Sequence, residues 1–188
     1  SAFVMVLGCN GDLRKEKIIH YLNNESLPYE EVHVDYVYDI YNFANIVGDA
    51  DYVFVGQVKD YIKTNYGYAD KTPRTFYSVK VIENIKGELI QDNDIEVIKI
   101  GGIDQKARKF IIYDLDLLPK INQYYIFAVF ADAKGQITAV GPTSSILLSD
   151  KDNYQNCESY KDIIKAYENP NTFDRERHQS KYDKNYNE

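Results

Sequence analysis

The apolar positions along the chain alternate between two periods, and each change of period marks an element. Three segments, Asp51-Tyr-Val-Phe-Val-Gly-Gln-Val58, Thr75-Phe-Tyr-Ser-Val-Lys-Val-Ile-Glu-Asn-Ile-Lys-Gly87 and Gln123-Tyr-Tyr-Ile-Phe-Ala-Val-Phe130, are rich in β-branched and aromatic residues. Asp, Asn, Gly or Lys bounds each of them, as befits strands. Extended over the middle of the chain, the pattern predicts strands at Tyr52–Tyr61, Arg74–Ile82, Ile95–Ile100, Tyr124–Phe130 and Gln136–Val140. Gly56 inside the first reads as a bulge or bend. The fourth is apolar at nearly every position, which predicts a central strand covered on both faces. Ala133-Lys-Gly135 is a hairpin turn, and 62–73 reads as a long polar loop. The order predicts a mainly β fold, a small twisted barrel.

Helical spacing surrounds this series. Asp12 can cap a helix carrying Leu13, Ile18, Ile19 and Leu22, ended by Asn23-Asn24. Asp39 reads as the cap of a second, with Ile40, Phe43, Ala44 and Val47 on one face and Gly48 as the C′ glycine. Ser159 opens a third, with Tyr160, Ile163, Ile164 and Tyr167 as its apolar stripe and Asn169-Pro170 as its stop. Alternation over Val32–Val37 predicts a further strand. The chain therefore divides into an N-terminal extension (1–48), a barrel (49–148), a C-terminal helix packed on it (149–170) and a loosely ordered polar tail (171–188), one domain overall.

Composition narrows the classes. The 188 residues carry a net charge of −7, which disfavours nucleic acid or anionic lipid as a partner. Tyr is abundant, 18 residues with no Trp, and suits half-buried strands and barrel rims. The two cysteines, Cys9 and Cys157, lie far apart and the three histidines are scattered, so no zinc spacing arises. A disulfide between Cys9 and Cys157 and two unrelated thiols are both open. Phe3-Val-Met-Val-Leu7 before Gly8-Cys9 reads as a first strand, or alternatively as the tail of a bacterial lipoprotein signal with Cys9 as the lipidated residue.

The motif order is a V-x-V-x-G-x-V strand, a long loop, an F-x-V-x-V-type strand ending in Lys86-Gly87, a strand ending in Gly101-Gly102, a Y-x-F-type strand and a closing strand. It resembles the netrin-like domains, OB-type barrels that include the tissue inhibitors of metalloproteinases, in their bacterial secreted or lipoprotein versions. The resemblance covers about half of the chain and implies a five-stranded barrel with a C-terminal helix. In the inhibitors, a mature N-terminal cysteine binds the protease zinc. Cys9 is not at the N-terminus of this sequence, and the family's several disulfides are missing.

The richest candidate site is the 59–74 stretch. Lys59, Lys63, Lys71 and Arg74 interleave there with Tyr61, Tyr66 and Tyr68, against only Asp60 and Asp70. Bases with stacking rings suit a single-stranded nucleic acid or a sugar polymer; the same residues also suit a solvated loop packed on a barrel rim. Lys99, Lys106, Arg108 and Lys109 form a second basic group. Four Asp-x-Asp pairs (Asp49/Asp51, Asp92/Asp94, Asp114/Asp116, Asp150/Asp152) fall at turns and caps and lack an EF-hand continuation. Thr143-Ser144-Ser145 lacks a nucleophile elbow. These features predict no catalytic residue, metal or cofactor. They predict a non-catalytic binding module of an exported, cell-surface bacterial protein with a protein or glycan partner. The alternatives are a metalloprotease-inhibitor-like protein and an oligonucleotide or polysaccharide binder.

Overall fold

The computed structural model describes residues 13–187 apart from Gln105 and Ala107. The expectations for Phe3–Leu7, Cys9 and Asp12 lie outside these residues. The elements run α1 (Lys15–Asn24), β1 (Tyr29–Val32), α2 (Phe43–Asp49), β2 (Tyr52–Asn65), β3 (Arg74–Lys86), β4 (Asp94–Ile100), β5 (Gly102–Asp104), β6 (Lys109–Tyr113), β7 (Tyr124–Ala131), β8 (Ile137–Ala139), β9 (Ser145–Leu148) and α3 (Glu158–Glu168).

Five of these strands close on themselves in the order β2-β3-β4-β8-β7 and back to β2. All pairings are antiparallel except β4 with β8, which is parallel. This is a closed five-stranded barrel compatible with an OB-type fold. Its strands are the five that alternation predicts. Tight closure needs strong local twist, and β2 supplies it through register shifts against β3, one of them at Val55/Gly56. The bend at Gly56 is the one expected. A methyl group there would also meet Val79 Cγ1 at 2.5 Å.

Two apolar layers follow from the pleat. Phe54 and Val58 of β2, Val79 and Val81 of β3, Val97 of β4 and Phe127 of β7 point into the barrel, where the Phe54 and Phe127 rings stack at 5.4 Å. Ile18, Tyr21 and Leu22 of α1 join this core. The alternate residues Val53, Val55, Ile126 and Ala128 face outward and are covered by Ile46 and Val47 of α2 and Ile163 of α3. β7 is thus buried on both faces, as its unbroken apolar run predicts. No helix among the described residues is long and apolar enough to cross a membrane.

Several local expectations are corrected. The early strand is Tyr29–Val32, paired in parallel with β6, and 33–37 is irregular. Asn42, not Asp39, caps α2, its side chain accepting from Ala44 N–H at 3.0 Å. Gly48 lies inside α2 rather than beyond it. It is glycine because the backbone carbonyl of Asn171 passes 1.7 Å from where a Cβ would stand. That carbonyl belongs to the tail, which is tied down rather than loose. Lys181 N–H donates to Gly135 O and Lys184 N–H to Glu88 O, both at 2.9 Å, and Ser180 is wholly buried.

Candidate functional site

The predicted Tyr/Lys loop is largely strand. β2 runs to Asn65, so Lys59, Tyr61 and Lys63 lie on it, and 66–73 alone connects to β3. Tyr61 is buried, with its hydroxyl 2.6 Å from Thr64 Oγ1. Lys63 Nζ sits over the Phe76 ring at 4.7 Å. Tyr66 donates to Ile103 O at 2.7 Å. Tyr68 is stacked by the Arg74 guanidinium at 4.2 Å, and Arg74 in turn donates to both oxygens of Asp70, at 3.2 and 3.0 Å. Tyr113 and the Thr72 amide donate to Asp70 as well. Lys59 and Lys71 are exposed. The structure thus brings Tyr68, Asp70 and Arg74 together with Tyr113, and these groups satisfy one another. The second basic group is split: Lys109 pairs with Glu30 at 2.5 Å, Lys106 and Arg108 are exposed, and Lys99 is inside the protein. Cys157 is a partly buried free thiol at the start of α3.

Burial opposes ionisation of Asp70, but the hydrogen bonds from Arg74, Tyr113 and Thr72 outweigh it and hold the carboxyl below its ordinary value of 3.8. A carboxylate with a lowered folded-state value contributes stability that is fully present above the unfolded value and is lost as pH falls through the folded one. Asp70→Asn should therefore flatten the acid limb of the stability–pH curve below pH 3.8. Urea midpoints across that limb check this; an unchanged slope would show that Asp70 plays no part in it.

Lys99, grouped by sequence with Lys106, Arg108 and Lys109, is instead wholly buried. Ile95 and Val97 point into the core, and Lys99 continues their period-two phase inward. That phase was the available signal. Its ammonium lies 2.6 Å from Asp116 Oδ1, and both side chains are buried. It also donates to Gly141 O at 3.0 Å and to Ser144 Oγ at 2.8 Å. Burial pushes the Lys99 ammonium down and the Asp116 carboxyl up; each partner opposes the shift of the other, and the Gly141 amide helps keep the carboxylate charged. The contact is an ion pair without a well-aligned hydrogen bond to either carboxylate oxygen, and the Tyr36 hydroxyl also finds no partner among the described residues.

A lysine beside a serine invites a nucleophilic reading, which the hydrogen bonds oppose. Ser144 donates to Gly141 O at 2.6 Å, so its proton points away from the amine that would have to accept it. The contacts of the cluster tie separate segments together. Asp116 fixes the 115–118 segment to β4, and Ser144 fixes the start of β9 to the same lysine.

Those two pinned segments are the walls of an open cleft of about 400 Å³. Leu115, Leu117 and Leu118 line it together with Ser145, Ile146 and Leu147, and Tyr41, Phe43 and Tyr125 complete the apolar lining. Four of these side chains stay largely in water: Leu115 is 68 %, Tyr41 62 %, Leu117 50 % and Leu147 49 % exposed. A single exposed leucine needs no explanation, but three leucines and a tyrosine around one concavity do. Sequence patterning could not find this site, because its residues are non-periodic and come from five separated segments, at Glu25, 41–43, 115–120, Tyr125 and 142–147. The chain matches no protein-family model and no curated protein.

Proposed function

We propose that the protein is a non-catalytic binding module that holds another protein in the cleft between β9 and the 115–118 segment. The carrying observation is the set of four large apolar side chains left exposed around one concavity whose walls a buried ion pair fixes. A preformed apolar groove costs little ordering on binding, which favours affinity. The fold-level part of the proposal is a netrin-like version of the OB-type barrel, supported by strand order and spacing. Export to a bacterial cell surface, with Cys9 as the anchor, is supported by the apolar run before Gly8-Cys9.

The oligonucleotide or polysaccharide reading loses its best support, since the Tyr68 ring and Arg74 are already occupied by each other and by Asp70. The deciding experiment is NMR titration of the full chain with a pool of random short peptides. The expected shifts cluster at Tyr41, Leu115, Leu117 and Leu147, are abolished by Leu115→Glu and survive Tyr66→Ala plus Tyr68→Ala. Shifts confined to 66–74, or lost in the tyrosine double variant, would move the function to that loop.

A further inference from the structure

Resting on that reading, we infer that the cleft takes an extended apolar peptide segment with basic flanks, added as a strand to the outer edge of β9. Among the described residues, β9 pairs only with β7, through Ser145–Leu148. Among the described residues, no backbone group of β9 hydrogen-bonds to any other segment. An unpaired edge is a row of donors and acceptors that one more strand satisfies.

The cleft straddles this edge. Consecutive strand residues point to opposite faces. Ile146 packs with Phe43 in the outer apolar layer, whereas Leu118 and Tyr125 belong to the barrel core, on the side to which Leu147 points. A strand lying along β9 would therefore send alternate side chains into apolar surroundings on both sides. That demand selects an extended segment over a helix, which presents one apolar face.

Charge sets the flanks. Glu25 lines the cleft. Glu31 accepts from Leu115 N–H at 3.0 Å, Asp39 accepts from Tyr41 N–H at 2.9 Å, and Asp114 directly precedes Leu115. The opposing bases are already engaged: Lys120 pairs with Glu25 at 3.1 Å, and His33 lies between Asp114 and Asp35. Lys120 also lines the cleft and matches Glu25, so the surplus negative charge that flanking lysines or arginines would meet comes from Glu31, Asp35, Asp39 and Asp114. A second copy of this chain, net charge −7, would bring like against like.

The test uses the full chain and a fluorescent peptide, Lys-Lys-Val-Leu-Val-Tyr-Val-Lys-Lys, followed by anisotropy. Two variants of the peptide are N-methylated at alternate core amides, in opposite phases, and a third replaces its lysines with glutamates. The parent should bind saturably. One N-methyl phase should weaken binding by roughly tenfold or more while the other retains it, because only one set of amides faces the edge. Glutamate flanks should weaken it by about tenfold, and so should Leu147→Glu in the protein. Leu147→Ala, a milder change at a half-exposed site, guards against misfolding and should also weaken binding.

Equal binding by both N-methyl phases would overturn strand addition, equal binding by the glutamate peptide would overturn the charge selection, and no saturable binding would overturn both. Dimerisation in sedimentation that Leu147→Glu abolishes would make a second copy the occupant instead. If these peptides fail while pooled peptides still move the Leu115 and Leu117 resonances, strand addition falls and the binding-module reading stands. If neither moves them, both fall.

Discussion

Lys99→Met should destabilise the protein by roughly 3–5 kcal/mol, because it leaves the Asp116 carboxylate buried without its cation. The lost attraction is the smaller part of that cost. The larger part is desolvation of a carboxylate that has no other well-aligned partner. Asp116→Leu should cost a similar amount by stranding the ammonium, which keeps only Gly141 O and Ser144 Oγ. Combining Lys99→Met with Asp116→Leu should recover most of the loss, since an apolar pair of similar volume removes both charges from the interior. Urea midpoints of the four proteins close the cycle. Additive losses in the double variant would show that the two groups do not stabilise each other. The single variants should also weaken peptide binding more than the double does, because the pair holds both walls of the cleft.

The barrel was legible in the sequence because its two demands act locally. Each strand needs β-branched or aromatic residues and turn residues at its ends, and β2, β3, β4, β7 and β8 carry both. β7 even announced its central place, since Tyr125 to Val129 offers no polar position to solvent. Helix ends were less legible. Gly48 carries the signature of a C-cap, yet the carbonyls at the end of α2 are served from a distance. Lys86 donates to Val47 O and Gly48 O, and Arg177 to Gly48 O and Asp49 O. A cap supplied from across the chain leaves no local trace.

The candidate site was hidden for the same kind of reason. Lys99 reads as one of a group of surface bases unless the inward phase of Ile95 and Val97 is carried one step further. Asp116 reads as half of a turn pair. Only the packed chain brings them together, and only there does their contact set the distance between two apolar segments that are unremarkable alone. The composition of 59–74 is equally compatible with an open stacking surface and with a loop packed on the rim, because rings and bases close in sequence can satisfy one another, as Tyr68, Asp70 and Arg74 do.

Replacing both Arg175 and Arg177 with alanine should cost about 2–3 kcal/mol, discounted from the full cost of a buried pair because the arginines are partly solvated. Polar composition made 171–188 look loose, but these two side chains close a clamp. Arg175 meets Asp49 Oδ1 and Asp51 Oδ1 at 2.8 Å each, and Arg177 meets Asp51 Oδ1 at 3.0 Å. The Asp51 side chain is only 4 % exposed, so without the guanidinium groups it keeps one donor, the Ala131 amide. The arginines also donate to the backbone carbonyls of Gly48 and Asp49, which α2 leaves unpaired at its end. For a chain of this size the loss corresponds to a fall in Tm of roughly 5–10 °C. Ending the chain at Pro170 should cost more, because it also removes buried Ser180 and the Asp183 carboxylate that accepts from Tyr52 at 2.6 Å. Moderate salt should restore little of the difference, since Asp51 is shielded from screening ions. A double variant within about 0.5 kcal/mol of the parent, the range of an ordinary surface change, would mean that the tail rests on the barrel without holding it.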